Sequence, residues 1–179
     1  MLYYNQLKLG NTYISTESLE SFCPHESTYV KYLHIPVEAI DDSGWADGDD
    51  DIVVGSVGWI DGFLVLGKQA YEDSKSLMRY ADDADGDLSH VIGTLLNNQI
   101  DIHDVDLFYC ATINFLNEIA DQEDLCEALI EDLPSIIFNE YYIKPGIIAF
   151  YFADDDFDVA SLLKKAGYEM ADRVMYLIP

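Results

Sequence analysis

Basic residues are scarce in this chain: 9 Lys and Arg stand against 34 Asp and Glu among 179 residues, a formal net charge of −25. That excludes direct binding to nucleic-acid phosphates, which draws its free energy from counterions displaced by Lys and Arg. Adsorption to anionic membrane surfaces is disfavoured for the same reason. Cysteine is nearly absent. Cys23, Cys110 and Cys126 make an odd number, and the last two lie inside apolar segments. They predict free, buried thiols in a reducing cytoplasm. Long apolar runs are missing: the longest, Ile147 to Ala153, falls far short of the roughly 20 residues of a membrane helix. The opening MLYYNQLKLG has no cationic stretch leading into an apolar one, so no signal peptide is expected. Neither a solenoid repeat nor a Pro/Ser/Gly-rich linker divides the chain, which predicts one domain over 1–179.

What is present suits a packed core. Half the residues are apolar and 13% are aromatic, unlike a disordered acidic tail. Leu2 to Leu9 reads as a first strand. Thr28 to Ile40 reads as extended, with Pro36 favouring a sheet edge or an irregular end. An acidic loop follows over Asp41 to Asp51. Ile52 to Ile60 and Phe63 to Leu66 flank Asp61-Gly62, which predicts a hairpin, because Asp-Gly accepts the positive φ of a type I′ turn. Tyr80 to Asp87 reads as a second acidic loop. Leu88, Val91, Ile92, Leu95 and Leu96 then recur at helical spacing.

Asp106 to Phe115 and Gly146 to Ala153 are apolar nearly throughout, as in strands covered on both faces. Between them Asp121 can cap a helix with Leu125, Leu129 and Leu133 on its buried stripe. Pro134 is expected to end it, leaving Ile136 to Tyr142 as a short strand or a helix extension. Asp158 can cap a helix carrying Val159, Leu162, Leu163 and Ala166, with Gly167 as its left-handed terminator. Arg173 to Ile178 is a final strand. The predicted fold is α/β: a single-domain mixed sheet flanked by helices.

The segment Ile147 to Pro179 resembles the acetyltransferases of the GNAT (GCN5-related) superfamily. A buried strand leads to a short helix ending Leu-Leu-Lys-Lys-Ala-Gly-Tyr, similar to the family's L-Y-x-K-x-G-F, and a terminal strand follows. LFYCATINFLNEIADQEDLCEALIEDLP occupies the place of the strand and helix that bind coenzyme A. The resemblance covers about the last 70 residues and implies a GNAT-like fold with acetyl-CoA as cofactor. The departures point elsewhere. The family's pyrophosphate loop, Q/R-x-x-G-x-G/A, lets backbone N–H groups approach phosphate. Aligning Gln122 with its start puts Leu125 and Glu127 where small residues belong, and no Gly lies between Gly93 and Gly146. Leu163 falls at the family's proton-donating Tyr, and a leucine transfers no proton. Tyr168 falls at the aromatic packing position.

No Lys or Arg lies between Arg79 and Lys144, while fifteen acids do. The acidic loops at 41–51 and 82–87 fail the ligand spacing of a calcium-binding EF-hand. His25, His34, His90 and His103 are scattered, so no metal site is expected. Ser56 lies in no nucleophile elbow. The charge exceeds the magnitude of about 2–8 that serves solubility in a small domain. Acids spread over a folded surface imitate the spacing of DNA phosphates.

The expectation is therefore a non-catalytic, acidic interaction protein without catalytic, cofactor or metal residues. It would occlude a basic surface of a protein partner, a nucleic-acid-binding groove among the candidates, as DNA-mimic and anti-defence inhibitors do. The expected contact face combines Asp82, Asp83, Asp85 and Asp87 with Asp121, Glu123, Asp124, Glu127, Glu131 and Asp132. The alternative is an N-acetyltransferase using acetyl-CoA on a basic amine or protein substrate, with surface acids recruiting that substrate.

Overall fold

The computed structural model describes residues 7–9, 29–41, 52–70, 74–116, 122–152 and 157–179. Their strands are β1 (Leu7–Leu9), β2 (Val30–Asp41), β3 (Ile52–Val65), β4 (Leu107–Phe115), β5 (Ile147–Tyr151), β6 (Glu169–Ala171) and β7 (Val174–Leu177). The helices are α1 (Gly67–Ala70), α2 (Ser74–Ala84), α3 (Gly86–Asn97), α4 (Gln122–Tyr141) and α5 (Phe157–Lys165). The strands form one sheet in the order β1-β2-β3-β4-β5-β7-β6. Only β4 and β5 are parallel, from Leu107↔Ile147 to Cys110↔Phe150; the other pairs are antiparallel. The long α4 makes the crossover that a parallel pair requires. The α/β class and the mixed sheet agree with expectation. Among the described residues, no helix is long and apolar enough to cross a membrane.

The sheet is covered on both faces, which explains the continuously apolar β4 and β5. On one face Phe108, Cys110, Ile148 and Phe150 pack with Leu125, Leu129 and Leu133 of α4 and with Leu162 and Leu163 of α5. On the other, Leu107, Tyr109, Ile147 and Ala149 meet Leu77 and Ala81 of α2 and Leu88, Val91, Ile92 and Leu95 of α3. Each fully buried aliphatic side chain contributes about 1.5–3 kcal/mol. Gly167 takes φ +89° and ends α5 as expected. The Gly167 and Tyr168 N–H groups donate to the carbonyls of Lys164 and Leu163, which closes the helix end in a Schellman pattern.

Several expectations are corrected. Asp61-Gly62 is not a turn: β3 runs through it, paired to β2 and β4 along both edges. Gly62 serves close approach, since a Cβ there would stand 2.5 Å from the Tyr109 carbonyl and 2.6 Å from the Phe108 ring. The β3–β4 register shifts at this point, and Ala111 is the extra residue of a bulge. Residues 80–87 are not a loop. They are the last turn of α2 and the first of α3, with Asp85 alone at the junction. Pro134 does not end α4, which continues to Tyr141. Burial of Ile136 and Ile137 extends the apolar stripe beyond the hydrogen bond that proline removes.

Pro36 lies within β2, opposite Trp59 of β3 and just before the stretch Val37–Ala39 that pairs with β1. Register shifts follow it, as an irregular segment would show. Helix α5 already includes Asp158, so Asp158 is not its cap. The 41–51 loop, apart from Asp41, and Asp121 and Cys23 lie outside the described residues.

Candidate interaction site

The corner between α2 and α3 concentrates acid. Asp85 has extended backbone, φ −162° and ψ 126°, and caps α3. Its Oδ1 accepts from the Asp87 N–H at 2.8 Å and the Leu88 N–H at 3.0 Å. That uses one oxygen for structure and leaves the other for solvent or a ligand. Asp87 lies in the first turn, where the positive helix end favours a carboxylate. Asp82 and Asp83 are exposed on the last turn of α2. The Ser89 hydroxyl ties the two helices, shared between Asp82 Oδ1 at 3.2 Å and the Gly86 carbonyl at 2.9 Å. Arg79 reaches Asp83 at 3.8 Å, a loose and exposed i,i+4 pair. Of these four carboxylates over six residues, Asp83 has the guanidinium of Arg79 beside it. Tyr109 lies beneath: burial pushes its phenol up most, with the charges of Asp85 and Asp87 adding to the shift.

The second half of the expected face lies elsewhere. Helix α4 packs on the opposite side of the sheet from α2 and α3. Glu131 and Asp132 are exposed there, while Glu127 is half-buried and 3.9 Å from Lys165 Nζ. Glu123 and Asp124 belong to α4, but their side chains, like all of Asp121, lie outside the description. Asp82–Asp87 and the α4 acids are therefore two patches on opposite faces of the sheet.

The segment at the place of a coenzyme A loop is helical from Gln122, and Leu125 is core. Cys110 and Cys126 carry free thiols, both pushed up by burial. Tyr168 is buried as expected, edge-on to Phe150 at 5.6 Å. Its hydroxyl has no hydrogen-bond partner among the described residues, and burial pushes its pKa up. Among the described residues no group of three or more His, Cys, Asp or Glu is arranged to hold a metal ion.

One constellation escaped sequence reasoning. His34 and Asp61 sit opposite each other on β2 and β3. His34 Nδ1 lies 2.7 Å from Asp61 Oδ1, and the Tyr32 hydroxyl donates to the same oxygen at 2.5 Å. A carboxylate only accepts, so Nδ1 carries the proton and Nε2 is the acceptor of the neutral ring. The side chains are 44% exposed for His34 and 18% for Asp61. Burial, then the bond to Asp61, pushes the Tyr32 phenol up. The partners are 27 and 29 residues apart, and reading Asp61 as a turn residue hid them. The available signal was an acid and a histidine inside apolar, strand-like runs.

No protein-family model, curated protein or solved structure matches this chain.

Proposed function

We propose that this is a non-catalytic acidic interaction protein that occludes a basic surface of a protein partner, a nucleic-acid-binding groove among the candidates. In this it would act as DNA-mimic and anti-defence inhibitors do. The observation that carries the reading is the α2–α3 corner, where Asp82, Asp83, Asp85 and Asp87 meet on a chain of net charge −25. No Lys or Arg lies between Arg79 and Lys144 in the sequence. Occlusion releases the partner's counterions, and long-range attraction speeds encounter. The α4 acids Glu131 and Asp132 form a secondary patch. We place the protein in the cytoplasm, which the free thiols of Cys110 and Cys126 support. Affinity capture from a cell lysate supplies the partner. Its association rate should then fall steeply from low to high salt, and a salt-independent complex would overturn the reading.

We also read the sheet as GNAT-like. The order β4, α4, β5, α5, β6, β7 supports this, because it contains the strand–helix–strand–helix–strand order of the resemblance. That order favours a second reading, an N-acetyltransferase using acetyl-CoA on a basic amine or protein. Calorimetry with acetyl-CoA separates the two: micromolar binding would replace the first reading by the second.

A further inference from the structure

We infer that the basic partner delivers an arginine side chain to the β2–β3 part of one sheet face, where Trp59, Asp61 and His34 receive it. The inference rests on the occlusion reading and names the side chain recognised. The acidic corner and the Asp61 cluster lie on the same face of the sheet. A run of rings joins them. Tyr109, which feels the charges of Asp85 and Asp87, stacks on Phe63 with centroids 6.3 Å apart and planes 11° from parallel. Phe63 meets Tyr32 at 5.5 Å, and Tyr32 donates to Asp61. Trp59 precedes Asp61 by two residues on β3 and so shares its face. Its ring centroid lies 6.4 Å from that of His34.

The free valences select the ligand. Asp61 Oδ1 takes both protein donors, and among the described residues no donor reaches Oδ2. In the neutral ring, Nε2 is the remaining acceptor of His34. Indole is the best aromatic surface for a cation, and the net charge of −25 favours cations over anions. A guanidinium is planar, weakly hydrated and carries five donors in a rigid fork. It can lie against a ring while it donates to acceptors at the ring's edge; an ammonium is a hydrated point charge and gains less.

Hexa-arginine and hexa-lysine peptides test this on the intact chain by calorimetry. Long-range attraction to the corner should bind both. The parent should prefer the arginine peptide by roughly threefold, from the cation–π and fork contacts. Trp59→Leu and Asp61→Asn should each abolish that preference while keeping the affinity for hexa-lysine. Trp59→Leu leaves the bonds of Asp61 to Tyr32 and His34 in place, so it remains decisive if Asp61→Asn disturbs the sheet. A parent without preference, or a preference that survives Trp59→Leu, overturns the inference. Replacing Asp82, Asp83 and Asp87 by Asn should weaken both peptides equally. If it weakens neither, the occlusion reading fails instead, whatever the arginine preference shows.

Discussion

The two helical layers carry their acids differently. On the α2–α3 side the carboxylates gather at a junction and one of them builds it, since Asp85 caps α3. On the α4–α5 side Glu127 has Lys165 nearby, and Glu131 and Asp132 stand on a single exposed helix surface. The apolar halves of the layers do the same work on both faces. Charge on the α2–α3 side is tied to a helix cap at Asp85, whereas burial on both sides follows the sheet.

The largest expected effect tests the shared part of that comparison. Leu95→Ala in α3 and Leu133→Ala in α4 remove side chains with 0% exposure on opposite faces. Each should cost about 2–5 kcal/mol in denaturant unfolding. A near-neutral result for either would mean that its helix does not cover the sheet.

Alkaline pH comes next. The phenols of Tyr109 and Tyr168 are both pushed above the ordinary tyrosine value of about 10, chiefly by burial. Between the unfolded and folded pKa the native state holds protons that the unfolded state has released. Stability contributed by these groups is therefore full below about pH 10 and is lost as pH rises beyond it. Melting temperatures from pH 8 to 11 should fall, and Tyr168→Phe and Tyr109→Phe should each flatten the fall. Salt should reduce the Tyr109 part, which includes the charges of Asp85 and Asp87, more than the Tyr168 part. Equal salt responses would erase this distinction between the faces.

The cap gives a smaller effect. Asp85→Ala should cost about 1 kcal/mol, and Asp85→Asn much less, because Asn also caps. Asp83→Ala should change stability by only a few tenths of a kcal/mol, because its pair with Arg79 is exposed. Equilibrium unfolding of the three variants orders them. If Asp85→Ala matches Asp83→Ala, the corner is not built on its cap.

Much of the sheet was legible in the sequence because burial on both faces writes itself as continuous apolar runs in β4 and β5. Helix α3 and the Gly167 terminus were legible for equally local reasons, apolar spacing and a left-handed glycine. The failures share a cause. Asp61-Gly62, Pro134 and residues 80–87 carry local signals for turns and breaks, and tertiary pairing overrode them. Gly62 is required by the ring of Phe108 across the sheet, which no local window contains. Acid abundance located the corner but could not say that α4 lies on the other face, since that follows from the crossover between β4 and β5. The Asp61–His34 pair depends wholly on strand register.

The most direct test of the central claim is the association rate with the captured partner after Asp82, Asp83, Asp85 and Asp87 are all replaced by Asn. Asn at 85 retains the cap, so circular dichroism should show the parent fold. Association should become markedly slower, with a shallower salt dependence. An association rate equal to the parent's would contradict it and reduce the corner to a solvated surface.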